Sequence, residues 1–141
     1  MTPAGYSGTP LPKKLGIRQG DTVAILGAPD GFDATLGSLP AGTTIRRRAR
    51  GLADVVVSFH TGRAELEARV PRLLEVLDVD GGLWVAWPKR ASGVPTDLTE
   101  DSMREIFLPL GLVDNKVCAI DETWSGLRMV WRKELRANRE R

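Results

Sequence analysis

Two apolar runs with a helical stripe between them dominate the hydrophobic pattern of the chain. Ala53-Asp54-Val55-Val56-Val57-Ser58-Phe59 is rich in β-branched residues and predicts a strand buried on both faces. Leu66, Val70, Leu73, Leu74 and Leu77 then recur at helical spacing and predict an amphipathic helix, with Pro71 inside it removing one backbone hydrogen bond and bending it near its centre. Asp80-Gly81-Gly82 reads as a turn into a second strand, Leu83-Trp84-Val85-Ala86-Trp87, which Pro88 ends. A strand, a helix and a strand joined this way form a parallel pair with a right-handed crossover. Trp84 and Trp87 lie three apart in one strand, so they face opposite sides and pack under different helices.

The flanking pattern extends this unit. Upstream, Val23-Ala24-Ile25-Leu26 predicts a short buried strand ending at Gly27, and Pro29-Asp30-Gly31 breaks it. Phe32, Leu36 and Leu39 predict a helix of about two turns, with Asp30 or Asp33 as its cap and Pro40-Ala41-Gly42 as its stop. Thr43 to Arg47 predicts a strand with one face kept wet by Arg46, Arg47, Arg48 and Arg50. Downstream, Thr99 caps a helix with Glu100 and Asp101 in its first turn and Met103, Ile106, Phe107 and Leu110 as its apolar face, closed by Pro109 and Gly111. Lys116 to Ile120 and Leu127 to Trp131 predict two strands of an antiparallel hairpin joined through Asp121 to Gly126. Residues 1–20, with three prolines and four glycines, predict an extended arm lying over a single α/β domain of residues 21–132, and 133–141 a frayed charged tail.

Strands alternating with helices imply a three-layer, Rossmann-like α/β fold whose mostly parallel sheet ends in an antiparallel hairpin. The chain's 141 residues, 42% hydrophobic and 27% charged, suit one packed core and exclude a disordered chain. A net charge of +2 argues for no strong polyanion field. The longest apolar run, Leu83 to Trp87, is far too short to span a membrane, and the N-terminus shows no apolar signal region, so a cytoplasmic location is expected. One cysteine, Cys118, and one histidine, His60, exclude an internal disulfide and a clustered structural zinc site, and no loop carries magnesium or calcium ligand spacing. Cys118, between Val117 and Ala119, reads as a small buried hydrophobe.

Over residues 21–132 the pattern resembles the class I S-adenosylmethionine-dependent methyltransferase core. ADVVVSF is similar to its fourth strand, LLEVLDVDGGLWVAWPK to its following helix, Gly-Gly turn and fifth strand, and the remainder to its last helix and hairpin. Only about six residues separate the strand at Thr43 from Asp54, so at least one strand-helix step of the full core is missing and the fold is a truncated one. The strings GYSGTPLPKKLGI, GGLWVAWPK, SGVPTDLTED and GLVDNKVCAIDETWSGLR resemble a bacterial family designated domain of unknown function 3052, a likeness that implies no particular activity. The methyltransferase resemblance implies a glycine-rich turn after the first strand and a carboxylate ending the second. The chain instead offers Gly27-Ala28-Pro29-Asp30-Gly31, with Pro29 lacking an N–H and bulky Phe32 following, and Arg46, Arg47 and Arg48 where an acceptor is wanted. No cofactor is therefore expected.

Ligands of open α/β sheets bind outside the carboxyl ends of the strands, where four loops should meet: Gly27 to Phe32, Ser58 to Gly62, Pro88 to Asp97, and the hairpin tip Asp121 to Gly126. Those loops carry Gly27, Asp30, His60, Lys89, Arg90, Ser92, Thr96, Asp97, Asp121, Glu122 and Trp124 as the candidate edge. Residues of these types also cap helices and make turns, as Asp97 and Thr99 would before the last helix. Ser58 and His60 invite a nucleophile-and-base reading, but they lie two apart on one strand end while such triads converge from separate elements, so His60 is expected to be a hydrogen-bonded surface imidazole. Lys89 beside Arg90 makes a local anion patch, and Trp124, a large ring at a hairpin tip, either folds back or meets a ligand or partner. The leading expectation is a non-catalytic methyltransferase-like domain binding a protein partner or small ligand at this edge. Two others compete with it: an enzyme acting on an anionic substrate through Lys89, Asp97 and Asp121, and weak nucleic-acid binding through Arg46, Arg47, Arg48, Arg50 and the basic tail, with Trp124 stacking on a base.

Overall fold

The computed structural model describes residues 8–136. Thr22–Leu26 (β1), Thr44–Arg46 (β2), Ala53–Phe59 (β3), Leu77–Pro88 (β4), Leu112–Ala119 (β5) and Trp124–Trp131 (β6) form one sheet of order β2-β1-β3-β4-β6-β5. The first four strands are mutually parallel, and β6 is antiparallel to both β4 and β5. Strand β5 therefore runs with β4, which brings the hairpin tip to the carboxyl edge of the sheet. This is the mixed, Rossmann-like arrangement the alternating pattern predicts.

Helices cover the two faces. Arg63–Val76 (α3) and Glu100–Phe107 (α4) bury Leu66, Leu73, Met103 and Phe107 against Val56, Leu83, Val85 and Trp87. On the other face Leu11–Lys14 (α1) and Phe32–Leu36 (α2) meet Val23, Ile25, Val55, Val57 and Trp84. The two-residue period of a strand makes this division, sending Val55 and Val57 one way and Val56 the other. Trp84 and Trp87 accordingly lie in opposite cores. Thr99 caps α4 in a reciprocal box with Ser102.

Several boundaries differ from expectation, each for a local reason. The described part of the N-terminal arm is not extended: it turns once as α1 and buries Leu11, Leu15 and Ile17, and the Trp84 indole N–H donates to the Leu15 carbonyl at 2.9 Å. Residues 1–7 of that arm and 137–141 of the tail lie outside the described residues, while Lys133–Arg136 (α5) forms a helical turn. Neither Asp30 nor Asp33 caps α2, because Gly31 in the left-handed region (φ 85°) holds the cap position, and Asp33 pairs with Arg47 at 2.9 Å instead. Leu110 is 44% exposed, since the helix gives way to a tight turn over Leu108–Leu110 before it can present that residue inward. Asp80-Gly81-Gly82 is no turn. Strand β4 starts at Leu77, directly after α3, and Ala53 pairs with Leu77 while Val55 pairs with Gly82, so residues 78–81 bulge opposite Asp54. A Cβ on Gly81 would lie 2.6 Å from the Asp54 carbonyl oxygen, which is why the bulge takes glycine.

The link from β2 to β3 is the main departure from a full parallel crossover, which needs a dozen or more residues. Here residues 47–52 suffice. Arg46 lies level with Ala24 of β1 and Val55 level with Val23, so the chain travels only about 10 Å back along the strands and about 10 Å across β1. Ala49 packs into the core on the α3 side, so the link crosses β1 on that face. The Arg46 guanidinium braces it, one nitrogen donating to the Arg50 and Leu52 carbonyls at 3.1 Å each. Gly51 sits at φ 78°, and a Cβ there would lie 2.5 Å from that same nitrogen. Gly51→Ala should therefore cost about 1–2 kcal/mol, read as a lowered urea midpoint with unchanged m-value.

Candidate functional site

The chain leaves β1 for α2 on one face and leaves the adjacent β3 for α3 on the other. A crevice opens where two neighbouring strands send their connections apart in this way. It is a cleft of about 250 Å³, bounded by Leu26 and Gly27 at the end of β1, Ala49 of the short link, Ser58 to Thr61 at the end of β3, Glu65, Arg69, Arg72 and Leu73 of α3, and Trp124. Trp124 folds back as one of the two options for a tip aromatic: its ring meets Phe59 edge-on at 5.1 Å, and Phe59 meets Phe32 likewise at 4.9 Å.

The floor of the cleft is a chain of hydrogen bonds. Strand alternation turns Phe59 toward α2 and both Ser58 and His60 toward α3, where Glu65 waits in the first turn. Ser58 Oγ lies 2.6 Å from His60 Nε2, and His60 Nδ1 lies 2.6 Å from Glu65 Oε1. Ser58 and His60 are 2% and 4% exposed, so His60 is a buried group and not the surface imidazole expected of it. The expectation failed because a strand end and the helix that follows it are separate elements, and they do converge. Serine and histidine at alternate positions followed by a carboxylate one helical turn into the next element was the available signal. Arg69 stands 3.6 Å from Glu65, and Arg72 pairs with Glu75 at 3.2 Å. Both pairs are solvent-exposed and cost little to break.

Of the predicted edge, Gly27, His60 and Trp124 line the cleft. Asp30 is exposed on the α2 loop. Lys89, Arg90 and Ser92 form a turn tied to the hairpin tip, with the Lys89 amide donating to the Thr123 carbonyl at 2.7 Å and the Ser92 hydroxyl to the Lys89 carbonyl at 2.7 Å. Asp97 does not cap α4: its carboxylate accepts the Arg63 amide at 2.7 Å and so caps α3 from across the fold, while the Thr96 hydroxyl donates to the Thr61 carbonyl at 2.6 Å. Asp121 accepts the Thr123 and Trp124 amides at 2.8 Å, and Glu122 is exposed beside it. Lys89, Asp97 and Asp121 are thus not brought together at the cleft, and both carboxylates serve the backbone. Arg46 and Arg47 are likewise engaged within the fold, leaving Arg48 and Arg50 as the outward part of the arginine loop. Cys118 is half-buried, and burial pushes its thiol up against the opposing pull of Lys14, Lys116 and Lys89. Among the described residues no group of three His, Cys, Asp or Glu side chains could hold a metal, and no helix is long and apolar enough to cross a membrane.

Comparison with known proteins identifies the fold. A SAM-dependent methyltransferase from Aquifex aeolicus superposes with a TM-score of 0.60 at 14% identity, over 84% of this chain and 86% of that one. Magnesium protoporphyrin IX methyltransferase from Synechocystis, crystallised with bound SAH, gives 0.56 at 16% identity over 81% and 75%. The fibrillarin pre-rRNA processing protein of Methanococcus jannaschii gives 0.54 at 15% identity over 90% and 70%. No protein-family model matches the chain, and no curated protein matches it. The chain therefore has the Rossmann-like fold of S-adenosylmethionine-dependent methyltransferases.

The residues at the cofactor position of that fold do not fit the cofactor. After β1 the turn contains Pro29, which has no N–H, and the Phe32 amide already donates to the Pro29 carbonyl at 3.2 Å. Helix α2 is five residues long, and Phe32 is 2% exposed with its ring locked against Phe59. Gly27, at φ 69°, makes room for protein: a Cβ there would lie 3.2 Å from the Phe59 carbonyl. At the end of β2, Arg46 presents donors already committed to the link, where a ribose needs an acceptor. Because Asp97 caps α3, Asp97→Ala should lower stability by about 1 kcal/mol, read in urea unfolding.

Proposed function

We propose that the chain is a methyltransferase-fold protein that does not transfer methyl groups and instead binds a small anionic molecule in the cleft between the carboxyl ends of β1 and β3. The observation that carries this reading is the buried Ser58, His60 and Glu65 chain at the floor of that cleft, with the guanidinium groups of Arg69 and Arg72 on its wall. A concave site with a few convergent polar groups at the switch point of an open sheet is where small ligands bind, which favours a molecule over a flat protein partner. Arginine suits planar oxyanions, since its fork matches carboxylate or phosphate geometry. Kinship with the bacterial family that the strings GGLWVAWPK and SGVPTDLTED resemble belongs to the same proposal and adds no activity to it.

Thermal shift across a panel of carboxylates, nucleotides and phosphorylated metabolites tests it. A ligand at ~100 times its dissociation constant adds about 2.7 kcal/mol of stability, and that gain should vanish in the Arg69→Ala/Arg72→Ala double variant while the unliganded stability stays close to wild type. Calorimetric titration with S-adenosylmethionine should give no heat of binding. Micromolar binding of that nucleoside would sink the proposal.

A further inference from the structure

We infer that Ser58 is an activated nucleophile and that the cleft, if it binds small anions as proposed above, hydrolyses carboxylic esters whose acyl part carries a negative charge. An ionised Glu65 carboxylate only accepts, so the His60 Nδ1 atom 2.6 Å away carries the proton. In the neutral imidazole the Nε2 lone pair then faces Ser58 Oγ at 2.6 Å, and the hydroxyl must be the donor. That leaves the oxygen's own lone pairs free for attack. Nucleophile, base and orienting carboxylate stand in the order that serine hydrolysis requires, from two elements, and all three residues line the cleft.

The reaction balances with water as the only co-reactant. Ser58 Oγ bonds to the acyl carbon while its proton passes to Nε2. The carbon–oxygen bond to the alcohol breaks, and the alcohol leaves with that proton. Water, giving a proton to Nε2, then attacks the acyl-serine carbon and releases the acid, and the same proton restores the Ser58 hydroxyl. Arg69 and Arg72, each more than half exposed and held only by surface ion pairs, are free to turn onto a carboxylate at the far end of the acyl group. The charged and titratable groups facing His60 are Glu65, Arg69 and Arg72 of α3, while Asp97, on the loop before α4, is held on the Arg63 amide.

The full chain treated with a fluorophosphonate should gain one adduct by mass, mapped by peptide sequencing to Ser58 without recourse to any variant. It should cleave p-nitrophenyl succinate monoester at least about tenfold faster than p-nitrophenyl acetate, a preference lost in Arg69→Ala/Arg72→Ala. Ser58→Ala should take no adduct. Glu65→Gln, at a half-exposed position whose folding circular dichroism can verify, should slow both turnover and fluorophosphonate labelling about tenfold or more, since no carboxylate then orients the imidazole. No adduct, an adduct on another residue, or Glu65→Gln turnover and labelling rates equal to wild type each overturn the nucleophile assignment. If small anions still bind the cleft in that case, the binding reading stands alone; if they do not, both fall.

Discussion

A six-residue return between two parallel strands governs the rest of this molecule. Residues 47–52 bring the chain from β2 to β3, and the Arg46 guanidinium holds the return together through two backbone carbonyls. A crossover of ordinary length would lay a helix against the sheet. This one lays down Ala49 alone, so the α3 side of β1 stays thinly covered and the space beside α3 remains open as the cleft. The shortness of β2 makes the geometry feasible, because a strand that stops level with Ala24 leaves little distance to retrace. The short return and the open cleft are one structural feature.

The site itself is assembled by periodicity and then fixed from a distance. Alternation along β3 points Ser58 and His60 the same way, and the start of α3 decides whether Glu65 can reach them. That start is set by two residues more than thirty positions away, Asp97 on the Arg63 amide and Thr96 on the Thr61 carbonyl. The loop before α4 thus acts on the cleft without entering it. Capping also positions α3 where its own sequence cannot, because the residue at its cap is Gly62 with no side chain to offer.

Much of this order could be read along the chain, and what could not was non-local. The β3–α3–β4 unit, the opposite faces of Trp84 and Trp87, the hairpin and the missing strand-helix step all follow from periodicity and spacing, which are properties of contiguous residues. The bulge at Asp80-Gly81-Gly82 was hidden because glycine marks a turn and a close approach equally well, and only the position of the Asp54 carbonyl tells them apart. The burial of Leu15 depends on an indole sixty-nine residues away, and the role of Asp97 on an amide thirty-four residues back. At the site, Gly27, His60 and Trp124 were legible from the edge rule for open sheets, whereas Glu65, Arg69 and Arg72 were missed because helical polar positions look alike until one face is known to border a crevice.

The two sides of the crevice have diverged in chemistry. On the α2 side a row of rings, Phe32 on Phe59 on Trp124, fills the carboxyl edge with edge-to-face contacts, and Pro29 leaves the adjoining turn short of a donor. A nucleoside needs a flat slot and backbone donors there, and both are occupied by protein. On the α3 side β3 presents the Ser58 hydroxyl and the His60 imidazole, and α3 adds the Glu65 carboxylate and the guanidinium groups of Arg69 and Arg72, beside apolar lining from Leu26, Ala49 and Leu73. The end of β3 thus serves both sides at once, with Phe59 turned toward the row of rings and its neighbours Ser58 and His60 toward α3.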